Sequence, residues 1–159
     1  MTHMVLLSRY GGAILLLAFF GGLQAAAVSL YGIVPNLVLG AIVALLFYFS
    51  SAVELAVFSA AAAFLLNWDQ GFPQELLALL LAVAAAFFVK KFLPWHFLID
   101  TAALSALSFT LFVAFADPWY AVSFPARVAV EFLYAEAAAY AALGLLALWY
   151  GTPQEAQGA

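Results

Sequence analysis

The chain has no cysteine, which excludes disulfides, thiolate catalysis and thiolate metal sites and leaves its redox compartment unmarked. Charge is almost as scarce. Four Lys/Arg and eight Asp/Glu make up 8% of the 159 residues, against about 25% in an ordinary soluble domain. Four cations cannot build a nucleic-acid surface, so no nucleic-acid partner is expected. No nucleophile–base arrangement and no Gly-rich phosphate loop is visible, so neither an enzyme nor a cofactor is expected. Polar stretches are too short to make a separate soluble domain.

What the chain has instead is apolar surface: 69% of its residues are hydrophobic. A water-soluble protein of this size could not cover itself with so few polar groups. The composition implies an all-α, polytopic integral membrane protein whose medium is the lipid bilayer.

The connections can be counted from Tyr31-Gly-Ile-Val-Pro35-Asn36-Leu37-Val-Leu-Gly40. Pro35 has no backbone N–H and biases Val34 toward extended geometry, so one helix ends before it and another can start on it. Asn36 is the only strong side-chain hydrogen-bonding group between Gly32 and Phe47. Upstream, Gly11–Tyr31 is uncharged and as a helix would rise about 31 Å, enough for a hydrocarbon core of about 30 Å. A signal peptide cleaved near Gln24-Ala-Ala-Ala27 is the other reading. Because the apolar run continues past that cluster, the segment is taken as a retained first span.

From Leu37 to Trp68 a single helix would be about 48 Å long, well over the hydrocarbon thickness. Two short spans breaking around Ser50-Ser51-Ala-Val-Glu54 put Arg9 and Lys90-Lys91 on the same face, as the positive-inside rule asks. Trp68-Asp69-Gln-Gly71-Phe-Pro73-Gln-Glu75 is a turn. Gln74–Leu93 makes the fourth span, with Lys90 and Lys91 snorkelling at its end. Pro94-Trp95-His96 turns the chain, and Phe97–Ala116 is the fifth span. Asp117-Pro118-Trp119-Tyr120 turns it again. Ser123 can cap a last helix, with Pro125 in its first turn, running to about Trp149.

The expected fold is therefore a bundle of six transmembrane helices over 1–150, five being the alternative count, with a disordered cytoplasmic tail over 151–159. Trp68, Trp95, Trp119 and Trp149 all fall at expected boundaries, as an aromatic belt requires. Both termini and the lysine pair lie in the cytoplasm, with Asp69, Glu75 and Asp117 outside and Arg127 left over.

Arg127 and Glu131 stand one helical turn apart on the last span, with Tyr134 on the same face. Glu136 sits near mid-membrane, with Tyr140 four residues on. Such groups are expensive in lipid and must face protein, water or a partner. Three readings are open: a proton or ion pathway, an internal ion pair with a hydrogen-bonded Glu136, or contacts to another membrane subunit. His96 and Asp100, at i and i+4, could supply two metal ligands but lack a third, so a local His–Asp hydrogen bond is expected. Thr101, Ser105 and Ser108, Gly21-Gly22, Gly40 with Ala44, and Ala60–Ala63 form small faces suited to helix packing.

One order of residues suggests a family. A first span ends in Leu23-Gln24, and Pro35-Asn36-Leu37-Val38-Leu39 opens the second. Later come Phe64-Leu-Leu-Asn67-Trp-Asp69-Gln-Gly71-Phe-Pro73 and a span ending in Lys90-Lys91-Phe-Leu. Over roughly Leu23 to Phe115 this resembles MreD, the small rod-shape-determining membrane protein of bacteria. The resemblance implies a non-catalytic subunit of the cell-elongation machinery in the cytoplasmic (inner) membrane. It would associate with the bitopic protein MreC, and through it with the RodA glycosyltransferase, its class B penicillin-binding transpeptidase and the MreB filament. The alternative reading is a small-solute-binding subunit like the substrate-capture component of a vitamin transporter, which would need several convergent polar groups in a pocket.

Overall fold

The computed structural model describes residues 2–31, 36–66, 74–93 and 96–153, and every regular element among them is a helix. These are α1 (Thr2–Tyr31), α2 (Leu37–Leu45), α3 (Ala52–Leu66), α4 (Gln74–Lys90), α5 (Phe97–Ala116), α6 (Pro118–Ser123) and α7 (Pro125–Tyr150). The turn residues Pro35, Asn67, Asp69, Gly71 and Pro73, Trp68, Pro94 and Trp95, and the tail from 154 onward lie outside the described residues.

The helices alternate in direction. Tyr10, Ser51, Lys90 and Tyr150 gather at one end of the bundle, here the lysine end. Gln24, Asn36, Gln74 and Phe115 gather at the other, where α6 lies. Ties at both ends fix this arrangement. Tyr10 of α1 donates to Glu54 Oε1 of α3 at 2.5 Å, and Gln74 Nε2 of α4 donates to the Phe115 carbonyl of α5 at 2.8 Å. One apolar core runs through α1 to α5 and α7, including Leu17, Ile42, Phe58, Val83, Leu104 and Leu146. By length and composition α5 and α7 could cross a membrane; shorter apolar stretches cover Tyr10–Ala26 and Ala52–Phe64.

At the centre is α2. Every residue from Val38 to Phe49 is buried. The helix itself has nine residues. It therefore rises about 14 Å, under half of a membrane crossing, so the second of the expected short spans is helical over only part of its length. A turn at 46–48 and non-helical residues 49–51 complete the stretch. Val38 meets Gln24, and Phe49 stacks on Tyr10 with ring centroids 5.9 Å apart. The stretch thus runs the length of α1 from Gln24 back to Tyr10, about 21 Å of helix. The chain does reverse between α2 and α3, as the charge balance required. Phe49, Phe58 and Tyr10 fill the corner, Phe49 edge-on to Phe58 at 4.8 Å.

Small residues let α2 and α7 touch backbone to backbone. A Cβ on Gly40 would lie 2.4 Å from the Ala135 carbonyl oxygen and 2.8 Å from the Ala139 nitrogen, distances no side chain tolerates. The alanine face of α7 (Ala135, Ala138, Ala139, Ala142) is thus buried inside the chain. Among the described residues, by contrast, nothing lies within 4 Å of a Cβ placed on Gly22.

The last connection departs from its expected form. Asp117 ends α5, its N–H bonding the Val113 carbonyl, and its Oδ1 accepts from Tyr120 N at 3.0 Å to start α6, with Pro118 at the first position. The Asp117–Tyr120 turn is therefore mostly helix. Ser123 closes α6 rather than capping α7: Phe124 stands at the cap with no side-chain bond, and Pro125 opens α7 as expected. Gly151, at φ 80, ends α7 in a conformation that glycine alone adopts cheaply.

Candidate functional site

A helix end buried in protein leaves N–H or C=O groups that something must satisfy. At its N-terminus α2 uses two side chains. Asn36 Oδ1 accepts from Leu39 N at 3.3 Å, and Gln24 Oε1, from α1, accepts from Val38 N at 3.1 Å. Both residues are buried. At the other end the ammonium of Lys90 donates to the Leu46 carbonyl and lies 5.2 Å from the centre of the Phe47 ring. Lys90 therefore turns into the bundle instead of snorkelling, placing a positive charge at the negative end of the half-helix. Lys91 is the lysine that stays outside, its ammonium 4.7 Å from the Phe87 ring centre and 5.5 Å from that of Phe88.

A second polar seam joins α5 and α7, which run antiparallel. Phe109 meets Phe132 edge-on at 5.5 Å, and Tyr140 OH donates to the Leu98 carbonyl at 3.0 Å, with Glu136 beside the Ser105 side chain between them. Tyr140 is thus not the donor to Glu136 that its spacing suggested. Glu131 is buried, and its Oε1 accepts from Tyr120 OH of α6 at 2.7 Å. Burial first, and then this bond to the carboxylate, push the Tyr120 phenol above its ordinary pKa. Arg127 is exposed, with its guanidinium 5.4 Å from the Phe124 ring centre. No ion pair joins it to Glu131, although one turn of helix separates them. Tyr134 is exposed on the outer surface.

His96 and Asp100 do not bond each other. His96 Nδ1 accepts from Leu98 N at 3.4 Å, capping α5, while Asp100 is buried beneath it with Oδ1 unpaired. Asp100 lies within the Coulombic field of Lys90 and of His96. Among the described residues no three His, Cys, Asp or Glu side chains gather as a metal site would require. Thr101, Ser105 and Ser108 are all buried, in keeping with a packing stripe, and Thr101 Oγ1 donates to the Phe97 carbonyl at 2.6 Å.

The arrangement spends its polar groups on holding helices together. Gln24, Asn36 and Lys90 fix α2; Tyr120 with Glu131 and Tyr140 with Leu98 fix α7. Two open grooves are present, of about 270 Å³ between α3 and α4 and about 420 Å³ beside Gly12 and Trp149, and neither gathers several charged or amide side chains. Two members of these ties escaped the sequence reading: Tyr120, whose helix was read as a turn, and Lys90 as an inward cation. Gln24 stood out in the sequence as part of a cleavage-site reading and of a resemblance, yet a lone amide in an apolar run shortly before a Pro-Asn helix start is itself a capping signal. Comparison of the chain with protein-family models, with curated proteins and with solved structures gave no match.

Proposed function

We propose that the chain is a six-pass protein of the bacterial cytoplasmic membrane that works as a non-catalytic scaffold of the MreD type in the cell-elongation complex. In this reading it acts by helix–helix contact with an MreC-like bitopic protein, and through it reaches the RodA-like glycosyltransferase, the class B transpeptidase and the MreB filament. The observation that carries it is where the polar groups go. Gln24, Asn36, Lys90, Glu131 and Tyr140 are engaged in ties between or within helices, leaving an outer surface on which Leu148, Val53, Leu15 and Phe64 are more than half exposed. Such a surface suits lipid and partner helices. A half-helix such as α2 is also admissible at membrane depth, because its ends are satisfied within protein.

A solute-capture subunit would need convergent polar groups in a pocket. The experiment is co-purification in mild detergent of the tagged chain with the bitopic partner from the same bacterium. Stable recovery supports the scaffold. No recovery, combined with retention of a small solute by the purified chain, would replace it with the capture reading.

A further inference from the structure

The groove between α3 and α4 is built from small residues on one helix and met by small and aromatic ones on the other. Ala52, Ala56 and Ser59 of α3 stand at helical spacing along one wall, and Ala84, Phe87 and Phe88 of α4 form the other. Small residues at i, i+4 and i+7 let a further helix approach closely, which is how helices associate where no hydrophobic force drives them. By itself such a stripe decides nothing. The second observation is Ser59, which lines the groove at 2% exposure with a hydroxyl that has no hydrogen-bond partner. A buried hydroxyl left unpaired is costly, and an acyl chain offers it nothing. A hydroxyl or amide side chain on a neighbouring helix would satisfy it. The rim toward the lysine end is cationic, since Lys91 lies over Phe87 and Phe88, so a segment crossing it has no positive charge at that height.

We propose that the α3–α4 groove is the docking surface for one transmembrane helix of a partner chain, which brings a small-residue face to Ala52 and Ala56 and a hydrogen-bonding side chain to Ser59. This rests on the scaffold reading, for which the bitopic protein is the partner and the probe.

The test uses the absence of cysteine. Single cysteines at Ala56 and Ala84, and at Leu148 on the outer surface as control, are oxidised in membranes that also contain the bitopic protein with single cysteines along its transmembrane helix. Disulfides from Ala56 and Ala84 that recur every three to four partner residues, with none from Leu148, are expected. Ala56→Trp and Ala84→Phe, each filling the groove, should cut partner recovery at least tenfold, while Ser59→Ala costs about threefold. The thermal midpoints of these variants show that they fold. If the wild type recovers the partner and both folded filling variants recover as much, the groove is not the docking surface. Loss of a co-purifying lipid in those variants at unchanged partner recovery would assign it to an acyl chain instead. Failure of the wild type to recover the partner at all would overturn the scaffold reading, and this proposal with it.

Discussion

The ammonium of Lys90 donates to the carbonyl oxygen of Leu46, so a cation from the end of α4 closes the buried end of the half-helix α2. Lys90→Met keeps the aliphatic stem and removes the donor, leaving that carbonyl unpaired. The expected cost is about 2 kcal/mol in thermal unfolding of the purified protein in detergent. Lys91→Met, at the exposed neighbour, should stay within about 0.5 kcal/mol. Equal losses at the two positions would remove the cap from the account.

Gly40 is where α2 meets the backbone of α7. Gly40→Ala forces the two helices apart and should destabilise by about 1–3 kcal/mol. Gly144, in the last third of α7, where an added Cβ would meet nothing within 4 Å among the described residues, offers the opposite case. There an alanine should raise stability by about 0.5–1 kcal/mol, because glycine is the poorer helix former. Thermal midpoints of the two variants moving in the same direction would contradict the packing described.

What was legible in the sequence, and what was not, divides along local and non-local lines. The bounds of α5, 97–116, and the start of α4 at Gln74 could be read because charge, proline and aromatic punctuation mark them. The shortness of α2 could not be read. From Leu37 to Phe49 the chain is uniformly apolar apart from Tyr48, and the Lys90 cation that holds the end of the half-helix comes from far along the sequence. The pairing of Glu131 was missed for a similar reason. Its spacing from Arg127 satisfies a helix rule, but α6 folds back and delivers Tyr120, while Arg127 stays at the surface over Phe124. The Asp-Pro pair at 117–118 was the available sign, a cap followed by a proline in the first position of a helix. Glu136 lies beside Ser105, a member of the stripe on α5 that was read as packing alone.

Tyr120 and Glu131 should behave as a unit. A double-mutant cycle with Tyr120→Phe and Glu131→Gln should give a coupling of about 0.5–3 kcal/mol, while Arg127→Ala and Glu131→Gln add within about 0.5 kcal/mol. The folded state also raises the Tyr120 pKa above its unfolded value near 10. The stability this contributes is complete below that value and is lost as pH rises through the folded pKa. Wild type should therefore weaken on the alkaline side more steeply than Tyr120→Phe. Parallel alkaline limbs would argue against the bond.

Glu136 separates a structural role from proton carriage. Glu136→Gln keeps the size and hydrogen-bonding capacity of the side chain beside Ser105 and should leave stability and partner recovery nearly unchanged. Glu136→Leu puts an apolar group beside the buried Ser105 side chain and should cost about 1–3 kcal/mol. If Gln proved as damaging as Leu, and reconstituted wild-type vesicles showed a pH-driven flux that both variants lost, the residue would carry protons and the scaffold reading would fail.

In the proposed scaffold the two ends of the bundle face opposite sides of a membrane, and one measurement addresses that directly. Because the chain has no cysteine, Ser51→Cys at the lysine end and Ser123→Cys at the α6 end each give a single reactive thiol at an exposed position. In intact spheroplasts an impermeant maleimide should label Ser123→Cys at once and Ser51→Cys only after the membrane is opened. Labelling of both from the same side, or recovery of the chain in the soluble fraction, would contradict the account.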